Sequence, residues 1–557
     1  MIIGIDVGGT NIDGVLIDQG QVLETVKQAY DKNRLTQAIQ SCLEPLTQGI
    51  DPKEVGRINL STTVSTNAIV QGLVDPVTLI TQKGPGMAHD FSDVASQTLV
   101  LSGYVDHRGI EVEPVNQEEL DHLTEQVTYP HLAVVSRFST RNPLHEDQIG
   151  QAVLASSDFV SLGHRMSGRL NYPRRVHTAI LNSQLASTNQ AFLNSVASAL
   201  ADFGLDQAQV NILKADGGTM TLEEAKDIPV ESILSGPAAS FMGMWALSDP
   251  KGQSVLLDIG GTTTDIFFLV DGSVVFEPLG IEIQGNKTLV RAIYSDSVAL
   301  GGDSKVSQVD GKLAVGPKRM GPALIHGGSD LTLTDALAYL KGEQVDLVEP
   351  YLAQLTTSQQ ENPQAVAQAI VDLACQQIKD RVDQLLQQLN NRPVETIKEV
   401  LTDRQIEPES LYLIGGPVAD LSPYLQVQFN LPTHLTPLYQ VANAIGAAIS
   451  KPTLQATLLA DTDRRRLTIP EFDSYQEIDP NFSLEEGLQL IRDLLTREAS
   501  KRGLDSKSIE IIDQSRFNRV QGYRISQIIR IQAQIKPGPA FTLDPLTNLE
   551  GGSVYER

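Results

Sequence analysis

The chain has 557 residues, 41% of them apolar and 20% charged, with a formal net charge of −25. That length suits three or four domains, and no apolar run approaches the roughly 18 residues of a membrane span. The acidic balance argues against a nucleic-acid backbone as partner, and two isolated cysteines, Cys42 and Cys375, argue against a disulfide scaffold and fit the cytoplasm.

The opening MIIGID enters strand character with no basic n-region, so no signal peptide is expected. MIIGIDV, GVLIDQG and QVLETVKQ read as three strands, and Leu35, Ile39, Leu43 and Leu46 mark a helix. RINLSTTVSTNAIVQG reads as strand, polar loop and helix start. PVTLITQKG, HLAVVSRFS and DFVSLGH are buried strands, the last two flanking a helix in EDQIGQAVLA, which indicates an α/β domain. A long helix with a break covers YPRRVHTAILNSQLASTNQAFLNSVASALADFG, and VNILKADGG follows as a strand. Asn362-Pro363 opens a helix whose apolar stripe runs Val366, Ile370, Leu373, Ile378, Val382, Leu385 and Leu389. ESLYLIGGPVAD is a strand entering a Gly-Gly loop, and VANAIGAAIS is a small-residue helix suited to close packing. Beyond Lys451, Ser483 and Glu486 form a capping box, and Ile529, Ile531, Ala533 and Ile535 alternate with Arg530, Gln532 and Gln534 as in a half-buried strand. The tail from Gly538 reads as loosely structured.

One local pattern occurs twice. IGIDVGGTNID spans Ile3 to Asp13, and LLDIGGTTTD spans Leu256 to Asp265. In each, a strand ends in Asp, turns through Gly-Gly-Thr and continues as a second strand. Glycines at 8, 9, 260 and 261 let the backbone approach a phosphate and tolerate positive φ. Thr10, Asn11, Thr262 and Thr263 add polar contacts. Carboxylates cannot bind phosphate directly, so Asp6, Asp13, Asp258 and Asp265 make sense with Mg²⁺ between them and the phosphate. One such turn could be a plain hairpin; two, with a third loop at Gly415-Gly416, are harder to explain that way.

This arrangement resembles the superfamily of actin, sugar kinases and the Hsp70 ATPase domain. It implies two duplicated ribonuclease-H-like α/β domains around a nucleotide cleft, with a small C-terminal α+β region. Asp6 and Asp258 would organise Mg²⁺, and Gly8, Gly9, Thr10, Asn11, Gly260, Gly261, Thr262 and Thr263 would hold the phosphates of ATP. Gly415 and Gly416 would flank the adenosine. The expected divisions are 1–175, 176–450 and 451–557.

Further segments narrow the resemblance to the hydantoinase A and 5-oxoprolinase family: LSTTVSTNAIVQG at 60–72, ITQKG at 80–84, RFSTRNPLHE at 137–146, VSLGHRMSGRLNYPRRVHTAILNSQL at 160–185, KADGGTM at 214–220, LSGPAAS at 234–240 and VGPKRMGPALIHGGSDLTLTDA at 315–336. The resemblance implies ATP-dependent chemistry on a cyclic amide or other carbonyl compound: opening a hydantoin or 5-oxoproline after phosphorylating its oxygen, or carboxylating a ketone. Asp13 or Asp265 would be the base, and the alternatives stay open. Thr62, Thr63, Thr66 and Asn67 are candidates for substrate or phosphate contact, or a helix N-cap with Asn67 capping. His164, Arg169 and Arg175 lie in a loop where an arginine could grip a carboxylate, and His326 is a lesser candidate.

The chain departs from the family at IYSDSVALGGDS, where Tyr294 and Asp296 stand for an Asp-x-His step and Asp303 for a glycine; Asp296 and Asp303 could form an oxygen-only metal site. No B-type half is visible, which leaves open a B-type partner subunit; a homo-oligomer is expected, with no nucleic acid and no membrane. A small-molecule kinase and a non-catalytic ATP-binding protein are the competing readings on the same scaffold.

Overall fold

A computed structural model describes residues 1–31, 34–250, 252–270, 272–277, 279–356, 362–391, 405–502, 504, 509–521, 524–541, 543, 555 and 556. The β-branched runs around the first turn form the hairpin Ile2–Val7 and Asn11–Asp18, with Gln21–Ala29 antiparallel beyond it. Arg57–Thr62 pairs parallel on the other side of the first strand, followed by Gln209–Leu213, also parallel. The spatial order is third, second, first, fourth, fifth. The second half repeats it with Ser273–Val274, Thr264–Val270, Gln253–Ile259, Ser410–Ile414 and Thr433–Leu435, with the same parallel and antiparallel pairs. These are two ribonuclease-H-like sheets, as the duplicated turns imply.

Each sheet buries one face against its own helices. Ile3, Ile5, Val7 and Ile12 meet Ile39 and Leu43 of helix Leu35–Thr47, and Phe192 and Val196 of helix Ala186–Asp202. Val255, Leu257, Ile266 and Phe268 meet Val366, Ile370, Ile378 and Val382 of helix Pro363–Asn390. Asn362 caps that helix by accepting from the Ala365 N–H at 2.9 Å. The long helix expected from Tyr172 is two helices, Tyr172–Gln184 and Ala186–Asp202.

The first sheet runs past the division expected at 175, because Gln209–Leu213 and Thr219–Thr221 are its outer strands. Between its fourth and fifth strands the chain builds a separate parallel sheet, in the order Phe159–Leu162, His131–Ser136, Val77–Gln82, Gln97–Val100. The C-terminal region is a five-stranded antiparallel sheet, Ser474–Glu477, Arg466–Ile469, Gln455–Asp461, Arg524–Ile535 and Ile509–Gln521, covered by helix Leu484–Lys501 with the expected Ser483–Glu486 capping box. Gln532 and Gln534, expected on an open face, are 5% and 3% exposed. Arg291 donates to Oε1 of the Gln534 side chain and Gln534 Nε2 donates to Glu510, so both ends of that amide are engaged. The loose tail expected from Gly538 falls mostly outside the described residues; Tyr555–Glu556 pairs parallel to Gln21–Ala29. Among the described residues no helix is long and apolar enough to cross a membrane.

Two helices join the halves. Ser235–Ser248 leads into the second sheet, and Ala442–Ile449 returns from it to lie on the first. Their approach is set by glycine. A Cβ on Gly243 would lie 2.0 Å from the Ala442 carbonyl oxygen, one on Gly446 2.0 Å from that of Ala239, and one on Gly4 2.2 Å from that of Ala444. Asn59, fully buried in the first sheet, donates to the carbonyls of Ala447, Ala448 and Ser450 and so anchors the end of the returning helix.

Candidate functional site

The two turns have the same internal geometry. Gly8 N–H donates to the Asn11 carbonyl at 3.0 Å, and Gly260 N–H to the Thr263 carbonyl at 2.9 Å. Asp6 faces Asp13 across the first hairpin, and Asp258 faces Asp265 across the second. The sequence reading allowed these glycines positive φ, but Gly8, Gly9, Gly260 and Gly261 are not among the residues in that region. What they contribute is the missing side chain: a Cβ on Gly9 would meet no atom within 4 Å. Thr10, Gly261, Thr262 and Thr263 are exposed. The third loop sits beside the second turn, since Gly415, at φ +111°, would place a Cβ 2.1 Å from the Ile259 carbonyl oxygen. Gly416 is exposed next to it. All three loops leave the C-terminal ends of parallel or hairpin strands, where α/β sheets place their ligands.

The leading aspartates of the two turns are connected through the crossing helices. Ser61 donates to Asp6 at 2.5 Å, and Asn443 Nδ2 donates to the other Asp6 oxygen at 3.4 Å. Ser240 donates to Asp258 at 2.7 Å and lies 3.0 Å from Asn443 Oδ1. Ser240 and Asn443 sit on the 235–248 and 442–449 helices, so one chain of polar contacts links both turns, with the single Ser240 proton shared between Asp258 and Asn443 Oδ1. Burial pushes the Asp6 carboxyl above its ordinary range. Burial, with Asp265 adding like charge, carries Asp258 up to about 7, although an edge of Asp258 stays open to solvent.

The trailing aspartates differ. Asp13 is opposite Lys27 in the neighbouring strand, and Lys27 Nζ reaches both its oxygens, at 3.1 and 2.9 Å, and the Gln440 carbonyl at 2.9 Å. Asp265 is opposite Ser297 in the strand Ser295–Val298 and, among the described residues, has that hydroxyl in the place of the lysine. Burial raises both, to about 6. No periodicity or motif in the sequence distinguishes the two; the identity of the next strand does.

Thr62 and Thr63 lie at the end of the fourth strand, directly beside the first turn. Thr63 N–H donates to the Val7 carbonyl at 3.0 Å, and Thr62 exchanges hydrogen bonds with Ser235 at the head of the 235–248 helix. Asn67 is not a cap. It lies inside helix Val64–Gln71 and donates back to Thr63 Oγ1 at 3.1 Å. Thr66 holds the N–H of Leu234, a non-glycine residue at φ +58°, and backbone strain of this kind collects at functional sites.

Other candidates lie elsewhere. Arg175 is fully buried and donates to the carbonyls of Ser136, Arg137 and Arg169, so it fixes loops rather than gripping a carboxylate from solvent. Arg169 sits in a loop whose Gly168 N–H donates to Glu471 of the C-terminal region. His326 is exposed at the end of the short 3₁₀ turn Leu324–His326. The oxygen-only metal site does not form: Asp296 is bound by both Nε and Nη2 of Arg381, at 2.7 and 2.8 Å, and Asp303 pairs with Arg319 at 2.8 Å. Tyr294 is buried in the second core.

His164 is likewise structural. It pairs with buried Glu146 at 2.7 Å and with Asp473 at 3.4 Å, beside a cavity of about 500 Å³ between the inserted sheet and the C-terminal region, away from the turns. Burial alone would lower its pKa; bonds to Asp473 and Glu146 outweigh this and carry it to about 9. A group raised in the folded state stabilises fully below its unfolded pKa near 6.5 and loses that contribution as pH rises through 9. The pH-dependent part of the stability difference between wild type and His164→Gln should therefore be about 3 kcal/mol below pH 6.5 and vanish above pH 9. Urea denaturation at a series of pH values checks this.

Residues 2–156 match the hydantoinase/oxoprolinase N-terminal region, and residues 175–456 match hydantoinase/oxoprolinase itself. The 5-oxoprolinase of Saccharomyces cerevisiae is 30% identical over 221 residues, 38% of this chain and 16% of that one. A 5-oxoprolinase of Pestalotiopsis fici is 24% identical over 406 residues, 61% of this chain and 31% of that one. The chain thus spans less than a third of these relatives. Two solved structures share the fold across nearly the whole chain. The ATP-dependent caprolactamase of Pseudomonas jessenii has a TM-score of 0.70 at 18% identity, covering 96% of this chain and 87% of that one. Nucleotide-free acetone carboxylase has a TM-score of 0.67 at 14% identity, covering 98% and 88%. With matches over both halves, this chain belongs to the hydantoinase/oxoprolinase family.

Proposed function

We propose that the chain binds ATP with Mg²⁺ between its two turns and phosphorylates the carbonyl oxygen of a cyclic amide, the first step in opening the ring. The observation that carries this reading is the chain Asp6–Asn443–Ser240–Asp258, which holds one carboxylate from each duplicated turn in a single network. Among the described residues, no group of three His, Cys, Asp or Glu side chains could cage a metal. That donor set suits a cation held mainly by water and phosphate, as Mg²⁺ usually is, with Asp6 and Asp258 holding its waters. Bound there, Mg²⁺ would neutralise phosphate charge.

The residues of the chain do the rest. Backbone N–H groups of both turns, with Thr10, Asn11, Thr262 and Thr263, position the phosphates, and Gly415-Gly416 flanks the adenosine. Thr62, Thr63 and Asn67, beside the end of the first strand, present the cyclic amide. An unstrained lactam is a poor electrophile, so its oxygen attacks the γ-phosphorus, the bond from that phosphorus to the β,γ-bridging oxygen breaks and ADP leaves, while the ring N–H gives up its proton. Asp265 takes that proton: its pKa near 6 suits a base at neutral pH, and among the described residues no lysine engages it as Lys27 engages Asp13. In this reading a second, B-type chain completes ring opening.

The test is ATP hydrolysis with hydantoin, 5-oxoproline, caprolactam, or acetone with bicarbonate, each with and without a co-expressed partner. Stimulation by a cyclic amide with release of the opened product supports the proposal. Stimulation by ketone and bicarbonate alone, or a stable phosphorylated alcohol, contradicts it.

A further inference from the structure

The second turn also differs from the first beside its second glycine. A Cβ on Gly9 would meet nothing, but one on its counterpart Gly261 would lie 2.7 Å from Oδ2 of Asp303. Asp303 arrives there because the 299–304 loop is laid along the turn: Gly302 N–H donates to the Gly260 carbonyl at 2.9 Å and Asp303 N–H to that of Gly261 at 2.7 Å. A bare carboxylate at this spot would repel a phosphate chain. Arg319 offsets it, with Nη2 2.8 Å from that same Oδ2. The loop carrying Arg319 is itself fixed, since Lys305 N–H donates to the Lys318 carbonyl and Gly316 N–H to that of Lys305, both at 2.9 Å. Among the described residues Arg319 Nε and Nη1 have no hydrogen-bond partner, and the side chain is 38% exposed. Lys27, the cation beside the first turn, already serves two Asp13 oxygens and a carbonyl.

We infer that Arg319 is a phosphate-binding residue of the second turn, held by Asp303 on Nη2 and offering Nε and Nη1 to the polyphosphate chain of a nucleotide. A guanidinium suits this double duty because its donors are fixed in one plane and can bridge two anions. The pair is particular to this chain in that Asp303 stands where the family resemblance has a glycine. The inference rests on the nucleotide reading above.

Calorimetry of MgATP binding to the full chain tests it. Arg319→Gln should weaken binding roughly tenfold or more. Arg319→Lys, which keeps the charge but not the fork, should lose several-fold. Lys312→Gln, an exposed basic residue on the adjacent hairpin, should bind as wild type, and the nucleotide-free melting temperature of the Arg319 variants should not move. Wild-type affinity in both Arg319 variants, or an equal loss in Lys312→Gln, overturns the inference while leaving the nucleotide reading intact. A wild-type protein that does not bind MgATP overturns that reading and this inference with it. If Arg319→Gln does not fold, Arg319→Lys decides.

Discussion

Asp258→Asn is expected to lower ATP turnover by roughly three orders of magnitude while the protein stays folded. The substitution is nearly isosteric and keeps an oxygen for Ser240 to donate to, so the 2.7 Å bond survives. What it removes is charge. Burial and the neighbouring Asp265 push Asp258 to about 7, and no Lys or Arg among the described residues pairs with it. A carboxylate kept at that cost, opposite its twin across two crossing helices, is explained by a cation it serves. Asp6→Asn should fall by a similar factor, because the same network reaches it through Asn443. Steady-state ATP hydrolysis, with a thermal melt as folding control, checks both; a variant retaining more than about a tenth of wild-type turnover is inconsistent with the role.

The second large effect concerns packing. Gly446→Ala should destabilise the protein by roughly 3 kcal/mol or more. Helix propensity alone predicts the opposite, since alanine is favoured over glycine by about 1 kcal/mol inside a helix. Here the new Cβ would lie 2.0 Å from the Ala239 carbonyl oxygen and 2.6 Å from the Gly243 nitrogen, and both are backbone atoms of the other helix. Steric overlap therefore dominates. Relief requires the helices to part, which also moves Asn443, three residues earlier, away from Asp6 and Ser240. Urea denaturation should show a lower midpoint, and MgATP affinity should fall with it. A variant as stable as wild type would mean that the two helices tolerate a wider spacing than the one described.

These residues also mark what could be read from sequence. The duplicated turns were legible because strand, Gly-Gly-Thr and strand are consecutive, and so were the Ser483–Glu486 capping box and the apolar stripe of the Pro363–Asn390 helix. Asn443 was visible only as the polar residue in a small-residue helix, and Ser240 only as the end of LSGPAAS; their meeting depends on two helices crossing from distant parts of the chain. The choice between Asp13 and Asp265 was not legible, because it turns on Lys27 in one adjacent strand and Ser297 in the other. His164 and Arg175 looked like polar-loop residues, yet Glu146 and three backbone carbonyls pay their desolvation and let them be buried. The inserted parallel sheet was read as strands and a helix, but strand order in a sheet is a long-range property that local pattern does not carry.

The central claim is that one nucleotide lies between the two turns. A crystal structure with Mg²⁺ and a non-hydrolysable ATP analogue tests it most directly. The account predicts the β- and γ-phosphates between Gly8–Asn11 and Gly260–Thr263, with the cation's waters on Asp6 and Asp258 and the adenosine against Gly415-Gly416. A nucleotide bound away from both turns, or phosphates contacting only one of them, would contradict it.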